Sequence, residues 1–293
     1  MRNRDSIALP RSARQKILIV TTTPETLATI LRFQPRYLSS HFHVFLASSP
    51  GEMAATVAEQ EKVVFYNVPM KRGIAPLHDL VSIVRMIQLI ARIRPDLVHS
   101  YTPKAGLVAM LASLLCRVPV RIHTFTGLIF PSRTGFSHRL LRASDALVCA
   151  CATVVIPEGR GVKRELIEYK VTKKNLELIG NGNIAGVDIA RFTPGLADVE
   201  NEAREIRSIN HIPADAFVFC YVGRLHAEKG IAELAVAFDG LHKSAHLILL
   251  GGADATSPPP QKIIDFLVNH PRVHLLGFNS DVRPALACSD VLV

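Results

Sequence analysis

The stretch at 217–238, FVFCYVGRLHAEKGIAELAVAF, decides the fold that we predict for this chain. Its first six residues are apolar, aromatic or β-branched, which is typical of a strand buried on both faces. Gly223 ends this run, and apolar residues then recur at helical spacing. The stretch therefore predicts a β-strand, a glycine turn and a helix that begins near Glu228.

Two cations lie where this helix is expected to begin. Arg224 follows the glycine, and Lys229 falls in the first turn of the predicted helix, where the helix dipole disfavours a cation. Helix N-termini present free N–H groups that bind phosphates. One hypothesis is a clamp for a diphosphate group. The alternative is a basic surface turn with Glu228 as its counter-charge.

Strands and helices alternate along the rest of the chain, which predicts parallel sheets built from βαβ units. A segment rich in glycine and proline near 180–195 interrupts this alternation and indicates a domain boundary. We predict an α/β protein with two Rossmann-like, doubly wound domains that face a cleft, at 16–194 and 195–293. The polar, basic residues 1–15 are predicted to form a disordered tail.

The second domain is expected to be incomplete. It contains three predicted strands and the start of a fourth, whereas a doubly wound sheet of this type has about six. We therefore expect the chain to be truncated at its C-terminus. Among individual elements we predict one helix at 24–39, a strand at 146–156 and a short strand at 176–179.

The formal net charge of +9 predicts an anionic partner, such as a phosphate, an anionic membrane surface or a nucleic acid. The chain has no Trp and few aromatic residues, which argues against a platform on which nucleic-acid bases stack. Its five cysteines have no C-x-x-C spacing and predict buried thiols in a reducing, cytoplasmic compartment. We expect no metal site and no segment that spans a bilayer.

The segment GRLHAEKG at 223–230 resembles the G-R-L-x-x-E-K-G signature of family 4 glycosyltransferases, which have the GT-B fold. Later segments, at 245–252, 272–278 and 281–291, resemble the strands that follow in that family. The resemblance implies that Arg224 and Lys229, beside Gly223, hold the diphosphate of a nucleotide-sugar donor such as a UDP-sugar.

The resemblance also places Gly277 and Phe278 near the nucleotide base, with a plain structural turn as the alternative. The family's later glutamates, which contact the donor, lie beyond the last residue of this chain. The catalytic residues therefore stay unassigned.

The segments at 96–107 and 118–130 resemble relatives that build bacterial capsule, lipopolysaccharide or lipid-linked glycans. Many of them carry T-x-H-G, whose histidine touches the donor sugar, but here Thr126 precedes Gly127 instead. A hydroxyl can still hydrogen-bond a sugar, so Thr126 and Gly127 are candidate contacts, while His123 is expected to pack in the strand. Lys104, at a helix entrance, is either an anion site for a lipid phosphate or a solvated lysine.

The resemblance implies a glycosyltransferase that moves a sugar to a polyprenyl-diphosphate-linked or other glycan, with retention at the anomeric carbon. It implies no metal and no cofactor, since the nucleotide-sugar is a substrate. One interpretation of the basic helices around Arg85, Arg92 and Arg139, taken together, is peripheral contact with an anionic membrane surface. For either helix alone, the favoured interpretation is an amphipathic helix that covers a sheet. Two alternative functions stay open. One is a non-catalytic remnant or binding subunit, and the other is a GT-B nucleotide-sugar epimerase.

Overall fold

The computed structural model describes residues 14–184, 186–242, 244–253 and 257–293. It divides into two compact units, which meet along the chain between Gly186 and Val187. The sequence placed the boundary eight residues later, at 194–195. The intervening turn is fastened to the second unit, because an Arg191 guanidinium nitrogen lies 4.0 Å from a carboxylate oxygen of Asp281.

The first unit is a parallel sheet with helices on both faces. Its strands are β1 (Lys16–Val20), β2 (His43–Ser48), β3 (Val64–Asn67), β4 (Leu97–Tyr101), β5 (Val120–Phe125) and β6 (Val154–Pro157). Its helices are α1 (Pro24–Thr29), α2 (Gln34–Leu38), α3 (Met53–Glu61), α4 (Pro76–Ile93), α5 (Pro103–Leu115), α6 (Gly135–Cys151) and α7 (Arg160–Glu168).

The strand order in this sheet is β3-β2-β1-β4-β5-β6, the order of a Rossmann sheet. Alternate residues of β1 supply two separate cores. Leu18 and Val20 pack beneath α4, α5 and α6, whereas Ile17 and Ile19 pack beneath α1 and α3. The order reverses between β1 and β4, and such reversals are where open α/β sheets bind ligands.

The second unit repeats the same plan on a smaller scale. Its strands are β7 (Phe217–Val222), β8 (Ala245–Leu250), β9 (Val273–Gly277) and β10 (Val291–Leu292), and its helices are α8 (Ala197–Ile209), α9 (Ile231–Asp239), α10 (Gln261–Asn269) and α11 (Arg283–Ala287). The parallel order is β10-β7-β8-β9, so the reversal lies between β7 and β10. All six residues of β8 are buried, as expected for a strand covered on both faces.

Three predicted elements are wrong. The helix predicted at 24–39 is two short helices, α1 and α2, because Phe33 adopts a left-handed conformation with φ of 66°. The strand predicted at 146–156 is the end of α6 followed by β6, since its apolar residues continue the buried stripe of the helix. The residues at 176–179 form no strand, although Leu176 is buried in the core.

The predicted basic tail lies almost entirely outside the described residues, which begin at residue 14. Within the described part of the chain, no helix combines the length and the apolar character needed to cross a membrane.

Candidate functional site

Three loops at the carboxyl edge of the second sheet are joined by backbone hydrogen bonds. The Gly223 amide donates to the Leu250 carbonyl at 2.9 Å, and the Gly251 amide donates to the Gly277 carbonyl at 2.7 Å. Two residues beyond the first of these bonds, the Leu225 amide donates to the Gly252 carbonyl at 3.0 Å. The turns that follow β7, β8 and β9 therefore form one continuous edge lined by backbone.

Glycine is required at the centre of this edge. Gly251 has φ of 152°, and a Cβ atom built there would lie 1.9 Å from the Gly223 carbonyl oxygen. Gly277, at the end of β9, has φ of 70°, a left-handed conformation. The absence of side chains leaves the backbone open to close approach by a ligand.

The predicted cations lie in the loop that leaves β7. Arg224 is exposed, and its carbonyl oxygen accepts a hydrogen bond of 2.9 Å from the Tyr221 hydroxyl. Lys229 is exposed and closes a single 3-10 turn, Ala227–Lys229. The turn is capped by the His226 ring, whose Nδ1 accepts from the Glu228 amide at 3.1 Å.

The position of Lys229 corrects one expectation. Gly230, with φ of 70°, separates the 3-10 turn from α9, so Lys229 precedes the helix instead of lying in its first turn. The left-handed glycine ends the 3-10 turn before α9 begins. Lys229 therefore lies outside the first turn of α9, where the helix dipole disfavours a cation. Phe278, two strands away at the end of β9, has 83% of its surface exposed.

Thr126 and Gly127 follow β5 at the carboxyl edge of the first sheet. Both are half-buried, and Gly127 has φ of 125° with open space where a Cβ atom would be. His123, in β5, is buried and bonds through Nδ1 to the Ser100 hydroxyl at 2.8 Å. Burial lowers the pKa of His123 to about 3, so this ring is neutral and packed in the core.

Lys104 is not a solvated lysine, which corrects one of the two predictions for it. Its side chain is 11% exposed, and Nζ lies 2.6 Å from both carboxylate oxygens of Asp79 in α4. Lys104 is in the first turn of α5, so this ion pair joins the starts of two adjacent helices. Asp79 neutralises most of the charge that an incoming phosphate would otherwise meet.

A cavity of about 490 Å³ opens at the strand-order reversal of the first sheet. Its floor includes Thr22 and Thr102, whose hydroxyl oxygens are 2.7 Å apart. Thr102 has φ of 68° and ψ of 142°, a combination that non-glycine residues adopt at a cost of about 1–3 kcal/mol. Strain of this kind concentrates at ligand sites. Asp79 and Asp145 also line the cavity.

Asp145 lines this cavity, and it was not identified from the sequence as a candidate site residue. It is 6% exposed, and burial raises its pKa to about 7. Within the described ranges of the chain, no hydrogen bond or ion pair reaches its carboxylate. A signal was present in the sequence, since Asp145 interrupts the buried stripe of α6 that includes Val148 and Cys149.

A smaller cavity of about 140 Å³ lies on the opposite face of the same sheet. His99 bonds through Nε2 to the Thr124 hydroxyl at 2.8 Å, and the Tyr101 hydroxyl donates to Oε1 of Gln34 at 3.2 Å. Glu158, at its edge, has a pKa raised by burial. Across the described residues, no group of three His, Cys, Asp or Glu side chains could hold a metal ion.

The family follows from two matches that cover both units. The family model described as "Glycosyl transferase 4-like domain" matches residues 21–182, and the one described as "Glycosyl transferases group 1" matches residues 216–293. The chain belongs to family 4 of the glycosyltransferases, a family of enzymes with the GT-B fold. This confirms the resemblance inferred from 223–230, and the two parallel sheets confirm the predicted α/β class with two Rossmann-like units.

Two bacterial glycosyltransferases are similar to this chain in sequence over most of its length. The chain is 28% identical over 272 residues to the capsular polysaccharide biosynthesis glycosyltransferase CapM of Staphylococcus aureus, covering 91% of this chain and 69% of that protein. It is 26% identical over 236 residues to an Escherichia coli UDP-Gal:alpha-D-GlcNAc-diphosphoundecaprenol alpha-1,3-galactosyltransferase, covering 78% of this chain and 59% of that protein.

Solved structures share the fold. Anabaena HepE in complex with UDP superimposes with a TM-score of 0.72 at 19% identity, covering 95% of this chain and 73% of HepE. Sucrose-phosphate synthase from Thermosynechococcus elongatus gives a TM-score of 0.67 at 16% identity, covering 95% and 75% of the two chains. A UDP-N-acetylglucosamine 2-epimerase gives 0.57 at 14% identity, covering 95% and 74%. At these identities the likeness shows the fold alone.

Proposed function

We propose that this protein transfers a sugar from a UDP-sugar to a lipid-linked glycan during the synthesis of a cell-surface polysaccharide, with retention at the anomeric carbon. The observation that carries the proposal is the basic loop between Gly223 and Gly230, at the strand-order reversal of the second sheet. A nucleotide diphosphate has the charge and size for which such a loop provides partners.

Arg224 and Lys229 would stabilise the diphosphate as negative charge develops on the leaving group. Gly223 and the backbone edge around Gly251 would allow close approach of the nucleotide. The exposed ring of Phe278 and the left-handed Gly277 are the proposed contacts for the base. On the first unit, Thr126 and Gly127 are the proposed contacts for the sugars.

The relatives support the substrate classes in this proposal. The E. coli relative is named for a UDP-Gal donor and a diphosphoundecaprenol-linked acceptor, and the S. aureus relative for capsular polysaccharide biosynthesis. One HepE structure contains UDP-glucose. These names suggest the first donors and the first acceptor to test.

The test is a transfer assay with UDP-galactose, UDP-glucose and UDP-N-acetylglucosamine, and with polyprenyl-diphosphate-linked N-acetylglucosamine as acceptor. The proposal predicts a glycolipid one sugar longer, UDP in equal amount, and an α-linkage by NMR. Nucleotide binding without transfer would favour the binding-subunit alternative. Conversion of one UDP-sugar into another without acceptor would favour the epimerase.

We further propose that the transfer requires no metal ion, because Arg224 and Lys229 supply the positive charge. Activity in EDTA should equal activity in MgCl₂. A loss of more than about tenfold in EDTA, restored by Mg²⁺, would contradict this and assign the diphosphate charge to a cation.

The enzyme is also proposed to contact an anionic membrane surface. Leu77, Leu80, Val81 and Val84 lie at the i, i+3, i+4 and i+7 positions of α4, and all four are exposed. An apolar stripe of this kind beside the exposed Arg85 suits the interface of an anionic bilayer.

Vesicle co-sedimentation tests this surface. Vesicles of phosphatidylglycerol should retain the protein more strongly than vesicles of phosphatidylcholine, and Leu80→Glu should release it. The matched control is Val268→Glu, an apolar residue equally exposed, at 60%, in the second unit. Equal retention of both variants would contradict the membrane proposal.

A further inference from the structure

The first unit contains a pocket lined by none of the residues proposed above as donor contacts. It has a volume of about 490 Å³ and lies at the reversal between β1 and β4, where the strained Thr102 and Thr22 form its floor. Apolar atoms form most of its surface, and the lining includes Leu107, Ile129 and Leu140. The pocket therefore favours a ligand with an apolar segment.

Asp145 supplies an unpaired hydrogen-bond acceptor in the lining of this pocket. The residue as a whole is 94% buried, it lines the cavity, and its carboxylate has no hydrogen-bond or ion-pair partner among the described residues. A buried carboxylate without a donor is costly, and a ligand hydroxyl can remove that cost by donating a hydrogen bond. The neighbouring cation, Lys104, is already held by Asp79 and leaves Asp145 unpaired.

The arrangement of charges inside the cavity disfavours an anionic group beside Asp145. The lining carries two carboxylates, Asp79 and Asp145, and two cations, Lys104 and the exposed Arg72, which donates to the Thr23 hydroxyl at 3.3 Å. Because Asp79 already neutralises Lys104, a phosphate beside Asp145 would be repelled by that carboxylate once it is ionised, at a pH above its pKa of about 7. An uncharged, hydroxyl-bearing group would meet a hydrogen-bond acceptor.

We propose that this pocket holds the acceptor by an uncharged sugar hydroxyl bonded to Asp145, with an aliphatic part of the acceptor against Leu107, Ile129 and Leu140. The proposal rests on the proposed function for its choice of a glycolipid, and it deepens that function by assigning acceptor recognition to Asp145. Asp145 would be a specificity-determining residue of the first unit.

The experiment is a calorimetric titration at pH 8 with monomeric octyl glucoside, with octyl phosphate and free glucose as matched probes. Octyl glucoside should bind at least about tenfold more tightly than either of them, because each of the others lacks the hydroxyls or the chain. Asp145→Leu and Asp145→Asn should each weaken octyl glucoside binding by about tenfold or more. Glu59→Gln, an exposed carboxylate of the same unit, should leave it unchanged.

A thermal melt of the same variants separates recognition from structure. Both Asp145 variants should have a Tm equal to or above that of the parent protein at pH 8, because they remove a buried, unpaired charge. Lower Tm values in both would assign Asp145 a structural role and overturn the proposal. Unchanged affinity for octyl glucoside, tighter binding of octyl phosphate, or no binding by the parent would overturn it as well.

This test is independent of the donor site. UDP titrations report on the loop between Gly223 and Gly230, and the octyl glucoside titration reports on the Asp145 pocket. If the pocket binds octyl glucoside and UDP does not bind, the proposed function is contradicted, whereas the assignment of the Asp145 pocket is supported. If UDP-sugar transfer occurs without an effect of Asp145, the pocket assignment fails alone.

Discussion

At the scale of single residues, the backbone edge formed by the turns after β7, β8 and β9 depends on one glycine. A Cβ atom at position 251 would lie 1.9 Å from the Gly223 carbonyl oxygen, so that carbonyl must move if the glycine is replaced. We predict that Gly251→Ala lowers the free energy of unfolding by on the order of 3 kcal/mol and weakens UDP binding, as overpacking and a positive φ combine. Gly252→Ala is the matched control, because open space surrounds its Cβ position. Equal urea-unfolding midpoints for the two variants would contradict this account of the edge.

Asp145 gives a prediction about pH at the same scale. Its pKa is about 7 in the folded protein against 3.8 in the unfolded chain, so the folded state keeps a proton that the unfolded state releases. The stability of the parent protein should therefore fall, relative to that of Asp145→Asn, as the pH rises from about 4 to about 7. Each pKa unit corresponds to about 1.4 kcal/mol, so the difference should reach a few kcal/mol.

Denaturant unfolding of both proteins at pH 5 and pH 8 measures this difference. The neighbouring Cys149 has a pKa of about 12 and does not titrate in the window. The Asp79–Lys104 pair and Arg72 line the same pocket and are common to both proteins. A difference in stability that stays constant with pH would show that Asp145 is ionised throughout.

At the scale of helices and strands, the pair between Lys104 and Asp79 joins α5 to α4 in a nearly dry environment. Lys104→Met should lower the free energy of unfolding by about 3–5 kcal/mol, because it leaves Asp79 buried and unpaired. The double variant Lys104→Met with Asp79→Leu should recover most of this loss, since two apolar residues of similar volume replace the pair. A double variant as unstable as the single one would indicate that packing, not charge, accounts for the effect.

Some of these helices and strands could be predicted from the sequence and others could not. The strand at β7, its glycine and both cations were predictable, because strand, turn and cations are adjacent along the chain. The end of α6 was not, since the apolar residues 146–151 suit a buried helix as well as a strand. Lys229 lies before α9 because Gly230 adopts a left-handed conformation that separates it from the helix. The sequence allows that backbone conformation but does not require it, so the start of α9 was not predictable.

The candidate site on the first unit was harder to predict. Asp79 is 25 residues from Lys104, so the ion pair exists only once α4 and α5 are packed together. Thr22 and Thr102 meet because β1 and β4 are neighbours in the sheet, and Asp145 joins them because α6 packs against α5. Local patterns carry no information on such juxtapositions, although a carboxylate on a buried helical stripe is a signal that can be sought.

At the scale of the whole molecule, we propose that the two units bind different substrates. The second unit would bind the nucleotide, and the first unit would bind the acceptor. Hydrogen exchange measures this directly. UDP should protect amides that follow β7, β8 and β9, whereas octyl glucoside should protect those around Thr22 and Thr102. Protection by UDP confined to the first unit would reverse the assignment.

The central claim is that Arg224 and Lys229 hold the donor diphosphate, and a calorimetric titration with UDP tests it most directly. Arg224→Ala and Lys229→Ala should each weaken UDP binding by about 10–100-fold, the loss expected for a hydrogen bond to a charged group. Arg204→Ala and Lys262→Ala, which replace exposed cations on α8 and α10 of the same unit, should bind UDP as the parent does. Parental affinity in both Arg224→Ala and Lys229→Ala would contradict the claim.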